Sequence, residues 1–169
     1  LALCTDNLSD PEIALPGDYF NTVLYTGNGS TQSITGVGFQ PDFDWLKSRS
    51  GAGTNHGLFD SVRGATKVLM SDSTAAEETE SNTLTAFDAD GFSLGDQTNY
   101  NANTATYVAW NWLAGGTAVS NTDGTDITSS VSANSTAGFS IVKWTGTGAT
   151  DDSVGHGLSQ APELIIVKK

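Results

Sequence analysis

His56 and His156 are the two histidines of this 169-residue chain, set in the runs NHGLFD and GHGLSQ. Nucleophilic catalysis needs a hydroxyl, a base and an orienting acid within hydrogen-bond reach, and Asp60 and Ser61 lie close to His56 in the chain. No Gly-x-Ser-x-Gly elbow accompanies them, and the two histidines fall in different copies of an internal repeat, so both read as turn or strand-end residues. Asp88, Asp90 and Asp96 in FDADGFSLGD, and the run NTDGTD from Asn121 to Asp126, offer the oxygens that calcium takes. Their spacing does not follow the EF-hand loop, whose ligands stand at positions 1, 3 and 5 with a bidentate Glu at 12. Asp-Gly turns are also ordinary hairpin chemistry. Calcium on Asp88, Asp90 and Asp96 stays open, and no metal, cofactor or catalytic residue is assigned.

Paired carboxylates for glycoside hydrolysis can be drawn from Asp42, Asp44, Asp60, Glu77 and Glu78, but a solvated acidic face has the same appearance in one sequence. Asp60 and Arg63 in FDSVRG differ, being opposite charges in an apolar setting, and are expected to form a structural ion pair. Of the four tryptophans, Trp45, Trp110 and Trp112 lie in strand patterns. An aromatic face can cover the C–H face of a sugar, yet aromatic residues at strand period usually fill a core. Trp110 and Trp112 are expected on an inner face together with Val108. Trp45, which follows two acids, is left open.

The elements that would position these residues are strands. Short segments rich in β-branched and aromatic residues run over 20–26, 42–48, 57–62, 66–70, 82–87, 91–95 and 106–113, separated by TGNGS, RGAT and DADG turns. FDADGFSLG predicts a hairpin with Phe87 and Phe92 flanking its turn. The acidic stretch 72–81 reads as a helical turn or a loop. The fold class that follows is all-β, an antiparallel sandwich.

Composition narrows the function classes. The chain is 37% hydrophobic and 15% charged, with 19 glycines and a net charge of −12. Nucleic-acid binding needs a basic face, so no nucleic-acid partner is expected. No apolar run reaches the length of a membrane-spanning helix, and no membrane insertion is expected. Cys4 is the single cysteine, which rules out an internal disulfide and a thiolate metal site.

VLYTGNGSTQSITGVGF, from Val23, has a second copy in VKWTGTGATDDSVGHGL, from Val142. Phe20 matches Phe139, Tyr25 matches Trp144 and Gly38 matches Gly157 in one register, and Pro41 then matches Pro162 after a two-residue slip. The expected organisation is an N-terminal connector (1–17), a sandwich module (18–116), a polar linker with one weak strand (117–136), and the first strands of a second, incomplete module (137–169) in a chain that natively continues.

The runs DSVRG, FDADGFSLG and YVAWNW, together with STAGFSIVKWTGTG and VGHGLSQAPELIIVK, resemble a repeated module of marine-type bacteriophage structural proteins of tail-fibre kind. The resemblance spans nearly the whole chain from about Phe20. One departure is Asn111, where related modules often carry Cys. It implies concanavalin-A/SPRY-like jelly-roll sandwiches in tandem, followed here by the start of a second β module. It implies virion assembly or host-surface recognition, and it transfers no catalytic residue. The expectation is therefore a non-enzymatic bacteriophage virion protein in the extracellular particle, a fibre or surface-displayed module. It would engage the host cell surface by multivalent weak contacts. Its partners would be other virion proteins, further copies of itself as a homo-oligomer, and host surface glycans. A purely architectural capsid-decoration or tail component is the alternative, and a polysaccharide-degrading tail enzyme a more distant one.

Overall fold

The structure, a computed structural model, describes residues 15–50 and 54–169. Cys4 and most of the expected N-terminal connector lie outside the described residues. Beyond a 3-10 turn at Pro16–Asp18, the chain forms β1 (Phe20–Thr26), β2 (Gln32–Thr35), β3 (Phe43–Ser48), β4 (Gly57–Asp60), β5 (Lys67–Met70), β6 (Glu78–Thr79), β7 (Leu84–Asp88) and β8 (Gly91–Leu94). A single helical turn α1 (Thr98–Asn101) precedes β9 (Thr106–Trp112), β10 (Val119–Asn121), β11 (Ser129–Asn134) and β12 (Phe139–Lys143).

The fold is an antiparallel β-sandwich. One sheet runs β1-β9-β3-β4-β5-β6 and the facing one β2-β8-β7. Apolar residues of both sheets interdigitate between them: Ile34, Leu84, Phe92 and Leu94 from the smaller sheet meet Leu46, Phe59, Val68 and Ala109 from the larger, with Tyr100 of α1 closing one end. The β7–β8 hairpin forms in the expected register, Phe87 opposite Phe92 and Asp88 opposite Gly91. Gly91 has φ 147°, and a Cβ there would collide with the Ile34 carbonyl oxygen, so only glycine lets β8 and β2 approach this closely. The acidic stretch 72–81 is a loop carrying β6 and contains no helix.

The phase of β9 is the reverse of the expected one. Tyr107, Ala109 and Asn111 point inward and are essentially inaccessible, whereas Trp110 and Trp112 are only half-buried, on the outer face. Period-2 alternation says that one face is inside without saying which. The phase is imposed by neighbours. Leu46 and Val23 stand in register with Ala109, and Ala109 packs in one buried cluster with Leu46, Phe59 and Phe92. Strand β3 alternates in the same way, with Asp44, Leu46 and Ser48 inside and Phe43, Trp45 and Lys47 outside.

A third sheet, β10-β11-β12, occupies the stretch expected to be a polar linker and the start of a second module. Serine-rich as it is, this region buries Ile127 and Val131. Gly157 packs against Val131 and Ala133 so closely that a side chain there would not fit. Contacts that fasten this sheet to the sandwich include Gly115 N–H donating to Ser132 Oγ (2.9 Å) and Phe139 stacking on Trp112 (6.0 Å, 21°).

Candidate functional site

The outer face of the larger sheet carries an aromatic lattice built by strand register. Directly opposed residues of antiparallel strands share a face, so Phe20, Trp112 and Phe43 form one row across β1, β9 and β3, and Thr22, Trp110, Trp45 and Leu58 form the next. Leu24, Val108 and Lys47 form a third. Within the first row the rings touch at 4.8 Å (Phe20–Trp112) and 5.3 Å (Phe43–Trp112). Trp45 and Trp110 meet edge-on at 6.1 Å. Trp45 Nε1 donates to His56 Nδ1 at 3.1 Å, which pins the indole at the margin of the patch. Phe20 (37% exposed) and Leu24 (61% exposed) leave the β1 side open to solvent. Tertiary structure thus makes a rigid, half-exposed platform of rings, flanked by the Thr22 hydroxyl and the Lys47 ammonium.

His56, Asp60 and Ser61 make no side-chain hydrogen bond to one another, and each has another partner. Asp60 accepts from the Arg63 backbone and from its Nε, and Arg63 also donates to Leu58 O (2.9 Å) and Glu77 (3.3 Å). This is the structural ion pair expected, with both side chains at or below 10% exposure. Ser61 Oγ donates to Asp42 Oδ1 (2.7 Å), and His156 Nδ1 accepts from the Leu158 backbone within its own turn. The three candidate calcium ligands share no partner. Asp88 accepts from Ser93 Oγ, Asp96 from Asn82 Nδ2, and Asp90 from the Gly36 and Gly38 N–H groups. Those backbone donors, Gly38 first, hold the Asp90 carboxyl below its ordinary pKa. Among the described residues no cluster of three or more His, Cys, Asp or Glu is placed to hold a metal ion.

A second feature lies inside the sandwich. Asp42 and Asp44 both point inward from β3, at 1% and 0% exposure. Asp42 is fully served, by Ser61 Oγ and by the N–H groups of Ala114 (2.9 Å) and Gly116 (3.1 Å). In this way it ties the start of β3 to the end of β4 and to the exit from β9. Among the described residues neither oxygen of Asp44 has a donor, and neither does Oδ1 of Asn111, its register partner on β9. The Asn111 amide is oriented by its Nδ2, which donates to Asn21 O on β1 (2.9 Å) and to Ala109 O (3.2 Å). Burial pushes the Asp44 carboxyl well above the usual carboxylate range, and the neighbouring Asp42 charge adds to the rise. Burial likewise raises the Tyr25 phenol, whose hydroxyl donates to Tyr100 O.

Both features rest on the phase of β3 and β9, which alternation alone does not reveal. A usable signal was present in DFDWLKS, where the polar set Asp44 and Ser48 shares its parity with Leu46. A strand whose apolar parity is aromatic and whose other parity contains Leu, Ala or Tyr supports either face as the core. No curated protein and no solved structure matches this chain. A family model described as a domain of unknown function, DUF7483, matches residues 15–169, and the chain belongs to that family.

Proposed function

We propose that this chain is a non-enzymatic structural module of a bacteriophage particle, of fibre or surface-displayed kind, that touches the host cell surface through many weak contacts. The observation that carries the reading is the aromatic lattice of Trp45, Trp110 and Trp112 on the outer face. A rigid sheet holding half-exposed rings next to a hydroxyl and an ammonium suits the alternating C–H and O–H surface of a sugar. With a net charge of −12, anionic polysaccharide is repelled, so the favoured ligand is a neutral glycan. A shallow groove on the opposite side, lined by Thr31, Gln32, Ser33, Thr85 and Ser93, offers further hydroxyls. No deep pocket is needed, because repeated display multiplies weak contacts through effective concentration. The resemblance of DSVRG, FDADGFSLG and YVAWNW to phage tail-fibre modules supports the setting, with other virion proteins and further copies of the chain as partners.

The architectural alternative has an observation of its own. Phe139 of the same chain already covers Trp112 and Phe43, so part of the lattice serves packing between sheets. The test is retention on a panel of immobilised neutral glycans, comparing the free chain with the chain coupled in many copies to beads. Adhesion predicts retention at least about tenfold stronger for the multivalent form and its loss in Trp110→Ala with the fold intact. Retention that is unchanged by Trp110→Ala, or absent on every glycan, overturns the adhesive reading in favour of the architectural one.

A further inference from the structure

The internal repeat can be laid over the observed topology. β12 (Phe139–Lys143) corresponds to Phe20–Leu24 of β1, and Leu164–Lys169 corresponds residue for residue to β3 (Phe43–Ser48). In the first copy these two strands do not pair with each other. β9 lies between them, bonded to both along its length. In the second copy β12 pairs with β11 on one side, and among the described residues no strand lies on its other edge. The counterpart of β3 forms no strand and pairs with none among the described residues. Leu164, Ile165, Ile166 and Val167 are between 64% and 78% exposed. Residues 164–169 form no backbone hydrogen bond with the described residues. Among those residues the segment is held through Lys168 Nζ, which donates to Ser73 O (3.0 Å) and Ala75 O (2.8 Å). Four consecutive exposed aliphatic residues with unsatisfied backbone are a ready template for strand addition.

We propose that β12 and Leu164–Lys169 are the two walls of an empty strand position, and that its occupant is a β9-type strand from a further copy of this module. The register also says how that strand must differ from the β9 described here. Ala109 stands between Val23 and Leu46, and the matching walls are Val142 and Val167, so a small apolar residue is kept. Asn111 stands opposite Asp44, but Ile165 takes that place in the second copy. An Asn brought there could still donate its Nδ2 to backbone oxygens, as Asn111 does to Asn21 O and Ala109 O, but its Oδ1 would be buried against an aliphatic side chain where Asp44 now offers a carboxyl, which is unfavourable. The occupant therefore carries an apolar residue at the place of Asn111.

The experiment uses the full chain with a flexible linker and a copy of residues 104–114 fused after Lys169. A second version carries Asn111→Ala in the appended copy only, and a third has that strand scrambled. Amide hydrogen exchange is followed for 139–143 and 164–169, with β1 and β3 as internal controls of folding. The expected result is slowing of at least about tenfold at both walls with the appended strand, stronger in the Asn111→Ala version and absent with the scrambled one. Unchanged exchange at both walls, equal protection by the scrambled strand, or stronger protection by the Asn-bearing strand each overturns the proposal.

Discussion

Asp44 offers a prediction whose size follows from physical constants. Its two oxygens and Asn111 Oδ1 are three buried acceptors without a donor among the described residues, on register-paired residues whose Cβ atoms stand about 5 Å apart. A single proton on Asp44 supplies a donor between them, and burial keeps it there by raising the carboxyl well above its ordinary pKa, with the Asp42 charge assisting. The folded chain then holds a proton that the unfolded chain releases once the pH passes the ordinary carboxylate range. Stability accordingly falls as pH rises, by about 1.4 kcal/mol per pH unit for one proton, until the folded-state pKa is passed. Asp44→Asn cannot ionise, and its amide can donate to Asn111 Oδ1. Urea unfolding of both proteins at a series of pH values should show equal dependence below about pH 4. Above about pH 4, and until the folded-state pKa of Asp44 is passed, the variant should gain on the parent at up to about 1.4 kcal/mol per unit. The double change Asp44→Ile with Asn111→Ala, which borrows the Ile165 of the second copy, should show the same pH profile as Asp44→Asn. Parallel curves for parent and Asp44→Asn across that window would refute the shared proton.

Three further outcomes follow from the packing. Arg63→Ala leaves the Asp60 carboxylate buried without its cation and should cost about 3–5 kcal/mol in urea unfolding; a loss below about 1 kcal/mol would mean that solvent replaces the guanidinium. Phe59 is fully buried and Trp110 only half so, so Phe59→Ala should cost about 3–5 kcal/mol and Trp110→Ala no more than about 2. Equal losses would return Trp110 to the core. Phe139→Ala uncovers Trp112 and should raise acrylamide quenching of tryptophan emission while leaving the unfolding midpoint of the sandwich within experimental error; unchanged quenching would remove Phe139 as the clasp between the sheets.

The strands and turns of the sandwich were legible because short β-branched runs and Gly-Asp turns need no distant partner to be read. FDADGFSLG contains its own hairpin register, and the Asp60–Arg63 pair is three residues apart. What depended on neighbours far along the chain was not legible. Trp110 faces outward because Leu46 and Val23, more than sixty residues away, take the inner volume beside Ala109. The serine-rich stretch before Phe139 looked like a linker since the large apolar side chains it buries are only Ile127 and Val131, beside Ser129 and Ser132, and their partner side chains lie beyond the window in which periodicity is judged.

The two sequence copies differ in these residues. At the position of Asp44 the second copy has Ile165, and at Trp45 and Phe43 it has Ile166 and Leu164. The segment aligned with β3, which forms no strand among the described residues, carries an aliphatic residue at the inner position and no ring at the outer ones. In the first copy the inner acid and the outer aromatics come together, and on adjacent parities of the same strand. The buried acid stands opposite Asn111 in one pairing only, since a one-residue slip would expose Asp44 and bury Trp45. The polar pair thus acts on register, at some cost in stability. Register in turn decides that Trp45 and Trp110 lie side by side on the outer face. The costly interior group and the exposed platform are in this sense one device, and the segment matching β3, which has an Ile in place of the acid, lacks the rings of β3 as well.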